Sequence, residues 1–273
     1  HLKKILIGSS TITLILWIGS SQGCFRMPFA NINAIEAFSE NTPLILESNQ
    51  HKSMLQEVDS TTYFEDLLSI SIINKWEQGL KYIDSLFLCT KNYSKIPLNA
   101  HLVSGVQIIN NNNADWLYVY DKYQQSFNID LFIKELKPTK IDQTIYRGQS
   151  IYSLNFGAQK GLSIAVFGEL ILMSHSTIIV ESGIEQLDDI LNNASRNESF
   201  VKVSEKNNSN EGDFAVYVNF KTVYSLFAVV SKPNQQQLLS LETIGQWLGM
   251  DVRFLVNGFM MSGHLYPKKE NNI

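Results

Sequence analysis

Residues 143–174 read QTIYRGQSIYSLNFGAQKGLSIAVFGELILMS. Four short runs rich in β-branched and aromatic residues stand out: Thr144 to Tyr146, Ile151 to Phe156, Leu162 to Phe167 and Leu170 to Ser174. Breaks fall at Arg147-Gly148, at Gly157 to Gly161 and at Gly168-Glu169, where glycine supplies the backbone angles of tight turns. Runs joined this closely pair antiparallel, so this stretch predicts a meander and sets the fold class.

Toward the N-terminus, Pro43 to Glu47 is a short apolar run between polar flanks, a buried-strand signal. Two helices are expected next. The second carries Trp76, Leu80, Ile83 and Phe87 at i, i+4, i+7 and i+11, one apolar stripe. Strands Leu102 to Ile109 and Trp116 to Tyr120 form a hairpin with a polar tip at Asn110 to Asn113. A helix from Ile129 to Leu136 ends at Lys137-Pro138, where proline forbids continuation.

Toward the C-terminus, Ser176 caps a helix whose Val180, Ile184, Leu187 and Leu191 share a face. Asn192 to Gly212 reads as a polar loop around Phe200. Asp213 to Phe220 is a strand, Val223 to Val230 and Leu238 to Leu248 are helices, and Gly249 is a helix C-cap. Val252 to Val256 then pairs with Phe259 to Leu265 through Asn257-Gly258, a strong hairpin signal. Strand, two helices and hairpin thus occur twice. The expected fold is α+β, mostly antiparallel sheet with helices packed on one face, with an internal duplication whose second copy is incomplete. The divisions are 1–29, 30–195 and 196–273. The absent initiator methionine and the short second copy read as a piece of a longer frame.

Lys3 and Lys4 precede an apolar run from Ile5 to Ile18, followed by Gly19-Ser20-Ser21-Gln22-Gly23-Cys24. That order reads as an export signal or membrane anchor, with Cys24 as a lipidation candidate in an imperfect lipobox. Residues 30–273 are therefore expected outside the cytoplasm, periplasmic or envelope-anchored, contacting the membrane through the N-terminus. Three of the 22 basic residues and none of the 26 acidic ones fall in residues 1–26, leaving the remainder at net −7. Such a surface repels phosphate backbones, so nucleic acid is not an expected partner. Cys89, the other cysteine, is expected to be buried and inert.

The segments Asn41 to Leu46, Tyr146-Arg147-Gly148-Gln149-Ser150-Ile151-Tyr152, Leu172-Met173-Ser174-His175-Ser176 leading into Val180-Glu181, Phe214 to Asn219, and Trp247 to Asp251 with Asn257-Gly258-Phe259 occur in this order. In that order the chain resembles an uncharacterised family of large cell-envelope proteins of Bacteroidota. The resemblance implies an extracytoplasmic location and a longer full-length protein, and no activity.

Motifs that name a reaction are lacking. Gly19-Ser20-Ser21-Gln22-Gly23 fits G-x-S-x-G only on paper, without the strand before it and helix after it that a hydrolase elbow requires. The five histidines lack metal-ligand spacing, and no glycine-rich phosphate loop occurs, so neither metal nor cofactor is expected. A local hydrogen bond accounts for His175. Glu169 and Glu181 could in principle approach as a carboxylate pair, but solvated turn and helix faces are the favoured reading. Alternation along a strand puts Trp116, Tyr118 and Tyr120 on one sheet face, as ligand-binding candidates if open and as core if covered. The leading expectation is a non-catalytic protein that binds or supports an envelope protein or glycan. The alternative is a secreted hydrolase acting on glycan or peptide.

Overall fold

In the computed structural model the described residues are 32–48, 69–110, 113–121, 127–157, 161–189, 192–207, 214–230, 241–255 and 258–267. Ten strands alternate with helices along them: β1 (Leu44–Ser48), α1 (Ser71–Leu88), α2 (Ile96–Asn99), β2 (His101–Asn110), β3 (Asn113–Asp121), α3 (Ile129–Leu136), β4 (Lys140–Tyr146), β5 (Gln149–Asn155), β6 (Leu162–Phe167), β7 (Leu170–Ser174), α4 (Thr177–Asp188), α5 (Glu198–Asn207), β8 (Phe214–Asn219), α6 (Val223–Val230), α7 (Leu241–Ile244), β9 (Trp247–Leu255) and β10 (Gly258–Tyr266). Short 3-10 turns, Ala34–Ala37 and Ala194–Arg196, precede β1 and α5.

The strands form one sheet in the order β10-β9-β8-β1-β2-β3-β7-β6-β5-β4. Every neighbouring pair is antiparallel. The expected α+β class with an antiparallel sheet is found, and it is strand-rich. The meander appears as β4 to β7, and its first turn places Arg147 at φ 47° and Gly148 at φ 77°, the paired positive angles of a two-residue hairpin loop. The units expected at 30–195 and 196–273 share this one sheet, because β8 pairs directly with β1.

Helices cover both faces, which corrects the one-sided expectation. On one face lie Trp116, Tyr118 and Tyr120, and α1 packs there with Trp76, Leu80, Ile83 and Phe87 buried as its stripe requires. Phe132 of α3 and Leu226 of α6 join the same apolar cluster. On the other face Phe38 lies against Gly105, and Gly183 of α4 brings that helix onto Leu117 and Leu172. There too Phe200 of α5 packs on Tyr217 and Trp247, with ring centroids 5.0 Å apart in both pairs.

Three further expectations change. Residues 198–207 are helical rather than loop: Asn197 Oδ1 accepts the N–H groups of Ser199 and Phe200, while Phe200, Val203 and Asn207 line the buried side. The helix expected to reach Leu248 stops at Ile244, and Gly249 sits inside β9 against Asn207 and Tyr217 instead of capping a helix. Cys89 is an exposed free thiol, because the apolar stripe of α1 ends at Phe87. Residues 1–31, with Cys24 and the export segment, lie outside the described residues. No helix among the described residues is long and apolar enough to cross a membrane.

Candidate functional site

The aromatic trio of β3 is core. Trp116, Tyr118 and Tyr120 are 0–1% exposed, and each polar tip is tied to α1. Trp116 Nε1 donates to the carbonyl of Ile72 at 2.9 Å, Tyr118 Oη to that of Trp76 at 2.8 Å, and Tyr120 Oη to Asp84 Oδ1 at 3.4 Å. Burial, with the Asp84 charge beside it, holds the Tyr120 hydroxyl well above its ordinary range, so it stays a donor. The open-platform reading is thereby corrected: a face sealed beneath an 18-residue helix offers no surface to a ligand.

A cleft opens where β3 outruns its neighbour. Pairing of β3 with β7 spans Tyr118 to Asp121, and β7 ends at Ser174, so the earlier residues of β3 project past it. Lys75, Gln78, Gly79 and Tyr82, spaced at i, i+3, i+4 and i+7, place one edge of α1 over this gap. Asn113 and Asp115 of β3, Gly161 before β6 and His175 after β7 complete the walls of a cleft of about 580 Å³. That volume is in the range of small-molecule sites.

The His175 and Tyr82 rings lie 5.4 Å apart, tilted by 33°. His175 Nδ1 is 2.8 Å from the carbonyl oxygen of Gly161. A carbonyl only accepts, so Nδ1 carries the proton, and in the neutral ring Nε2 is an acceptor. Partial burial raises the Tyr82 hydroxyl above its usual range and keeps it protonated. Lys75 Nζ donates to the Ala114 carbonyl at 3.1 Å and approaches Asn113 Oδ1 at 3.4 Å, and Asp115 Oδ1 accepts the Trp116 N–H. One cation, one carboxylate, two amides and two rings therefore converge, a set suited to holding a polar ring-bearing molecule.

A second cleft of about 420 Å³ includes Glu40, Asn197, Asn219, Lys221 and Gln246. Its polar groups largely satisfy one another: Asn197 donates to Glu40 Oε2 at 3.2 Å, Asn219 Nδ2 to the Glu40 carbonyl at 2.7 Å, and Ser199 to Gln246. It is a strut joining α5, β8 and β9 rather than a set of waiting donors.

The third polar cluster is also structural. Glu47 Oε1 meets His101 Nε2 at 2.8 Å, and Glu47 Oε2 accepts the Tyr217 hydroxyl at 2.9 Å, linking β1, β2 and β8. Desolvation pushes the Glu47 carboxyl upward, but the bonds from His101 and Tyr217 outweigh it and hold the group below its ordinary 4.5. A depressed folded-state value stabilises the protein above the unfolded one, and this contribution is lost as pH falls through the folded value. Denaturant melts are thus expected to show a loss of stability below about pH 4.5, and Glu47→Gln to flatten that slope. An identical acid slope in the variant would place its origin elsewhere.

Among the described residues no group of His, Cys, Asp and Glu could hold a metal ion. Glu169 lies in the β6–β7 turn and Glu181 within α4, and neither is among the described lining residues of the two clefts. Glu185 and Asp188 of α4 instead bind Arg147 at 2.7 and 2.9 Å, fastening the β4–β5 turn. Sequence reading passed over Lys75, Tyr82 and Asp115. The only available signal was a polar edge at helical spacing beside the apolar stripe. Comparison with protein-family models, curated proteins and solved structures gives no match.

Proposed function

We propose that this chain is a non-catalytic extracytoplasmic protein, periplasmic or envelope-anchored, and that the cleft between α1 and the end of β7 binds a saccharide of the envelope glycan. The observation that carries the reading is the Tyr82–His175 ring pair bounded by Lys75, Gln78, Asn113 and Asp115. Aromatic faces accept the C–H face of a sugar, while amide, ammonium and carboxylate groups match its hydroxyls. Catalytic cleavage of a glycan uses two carboxyl groups roughly 5–10 Å apart, and the described lining contains one, Asp115. For location, the support is Lys3 and Lys4 ahead of the apolar run at 5–18 and the resemblance to an envelope family. Cell fractionation tests that part: the protein should leave the cytoplasm, and removal of residues 1–26 should retain it there.

Calorimetric titration with N-acetylglucosamine oligomers and peptidoglycan-derived disaccharides tests the cleft. Saturable binding is expected, with Tyr82→Ala weakening it at least tenfold, about 1.4 kcal/mol, in a protein whose circular dichroism spectrum remains that of the folded parent. Equal affinity in the variant, or no binding by any of these sugars, contradicts the proposal.

The repeated element order supports reading β1 to β3 and β8 to β10 as copies of one unit. Ile45 pairs with Tyr217 across the junction, and each is flanked outward by a glycine, Gly105 and Gly249.

A further inference from the structure

The cleft between α1 and the end of β7 holds a cation that the fold has not neutralised. Lys75 Nζ meets uncharged oxygens, the Ala114 carbonyl at 3.1 Å and Asn113 Oδ1 at 3.4 Å, and among the described residues it has no carboxylate partner. Lys81, Lys140 and Lys202, by contrast, are each paired with an acid at 2.6–2.7 Å. An ammonium has three donors, so two neutral contacts position the group and leave one hydrogen for another acceptor. Asp115, the carboxylate in the same lining, does not fill that role. Alternation places it with Leu117 on the face of β3 away from α1, and its Oδ1 takes the Trp116 N–H at 2.9 Å.

Where this charge stands relative to the ring pair decides what it can recognise. Lys75 and Tyr82 are seven residues apart on one edge of α1, about 10 Å along the helix axis. Between them lie Gln78 and Gly79, the second with no side chain to divide the cleft. The Tyr82 end presents uncharged groups, with His175 Nδ1 committed to the Gly161 carbonyl. A sugar ring seated against Tyr82 therefore leaves the ammonium about one ring further along.

We infer that the cleft selects an acidic saccharide, one whose carboxylate lies a ring away from the sugar seated on Tyr82 and accepts a charge-assisted hydrogen bond from Lys75. The inference rests on the saccharide reading of the cleft and adds the class of sugar. Such a bond is stronger than a neutral one, and the exposure of Lys75 to solvent reduces part of that gain. One carboxylate requires one cation. The net negative charge of residues 27–273 opposes a polyanion approaching from a distance far more than a single acid held at contact, because salt screens the longer range.

Calorimetric titration of the full chain with two matched pairs of disaccharides tests this. One pair is N-acetylglucosaminyl-N-acetylmuramic acid and its methyl ester, and the other is a glucuronate-bearing disaccharide and its methyl ester. The free acid of at least one pair is expected to bind about fivefold or more tightly than its ester, by a margin that shrinks as salt is raised. The pair with the larger margin identifies the source of the carboxylate, a lactyl ether or the sugar ring itself. Lys75→Met and Lys75→Gln are expected to bring the acid-to-ester ratio near one, in proteins whose circular dichroism spectra remain those of the folded parent. Equal affinity for acid and ester in both pairs overturns the inference and leaves the saccharide reading standing. A preference that survives both Lys75 substitutions also overturns it, by removing the charge assigned to the recognition. Binding of none of the four sugars removes the saccharide reading itself, and this inference with it.

Discussion

Trp116→Ala is expected to lower the unfolding free energy by about 3–5 kcal/mol, the range for removing a large aromatic side chain from a packed core. The indole is 0% exposed, lies 6.3 Å from the Trp76 ring, and donates to the Ile72 carbonyl in the first turn of α1. Its removal leaves a cavity beneath the helix and takes away the indole's hydrogen bond to that helix carbonyl, and both losses fall on the contact that seats α1 on the sheet. Urea melts check this. Stability within about 1 kcal/mol of the parent would mean that the aromatic face of β3 is not the core described above.

Gly79→Val is expected to cost about 2–4 kcal/mol through overpacking and a lost hydrogen bond. A Cβ at Gly79 would stand 2.3 Å from the Tyr118 hydroxyl and 3.0 Å from its ring carbon. Tyr118 cannot retreat, being 1% exposed and bonded to the Trp76 carbonyl. Valine is a better helix former than glycine by roughly half a kcal/mol, which offsets only part of the cost. The mechanism makes a second, sharper expectation: Tyr118→Phe removes the oxygen in the way, so Gly79→Ala should be tolerated far better in that background than alone. Equal costs in both backgrounds would show that the close approach does not limit the helix. Because Lys75, Gln78 and Tyr82 ride on α1, Gly79→Val should also weaken ligand binding in the cleft.

Much of the sheet was legible because its signals are local. Turn chemistry at Arg147-Gly148 and Asn257-Gly258, and the glycine-broken runs rich in β-branched and aromatic residues from β5 to β7, mark antiparallel neighbours without reference to anything distant. Coverage of both faces was written in β3 as well, where Trp116, Leu117, Tyr118, Val119 and Tyr120 form an unbroken apolar run of the kind that marks two-sided burial. The alternation reading divided that run into an aromatic face and an aliphatic face and gave a helix to only one. α5 was missed because Asn, Ser, Glu and Lys dominate residues 192–207, and what makes the segment helical is tertiary: Phe200 anchors it between Tyr217 and Trp247. The end of the helix near residue 244 was misplaced for a related reason. Trp247 and Leu248 continue an apolar pattern, yet pairing with Asn219 and Val218 of β8 recruits them to the sheet.

The cleft was hidden for a different physical reason. Its members come from α1, β3, the start of β6 and the end of β7, separated by as much as 100 residues between Lys75 and His175. What unites them is a mismatch in length, a nine-residue β3 beside a five-residue β7, and register of that kind emerges only when the sheet is assembled. His175 illustrates the limit. Its bond reaches Gly161, 14 residues back across the β6–β7 hairpin, rather than a sequence-local partner, and its contact with Tyr82 depends on where α1 crosses.

The most direct measurement is a map of backbone amide resonances as peptidoglycan-derived disaccharide is titrated into the protein. Saturable shifts concentrated at residues 75–82, 113–115, 161 and 175 are the expected result. Unmoved resonances at those positions, with shifts elsewhere or none at saturating sugar, would contradict the cleft as the site through which this protein acts.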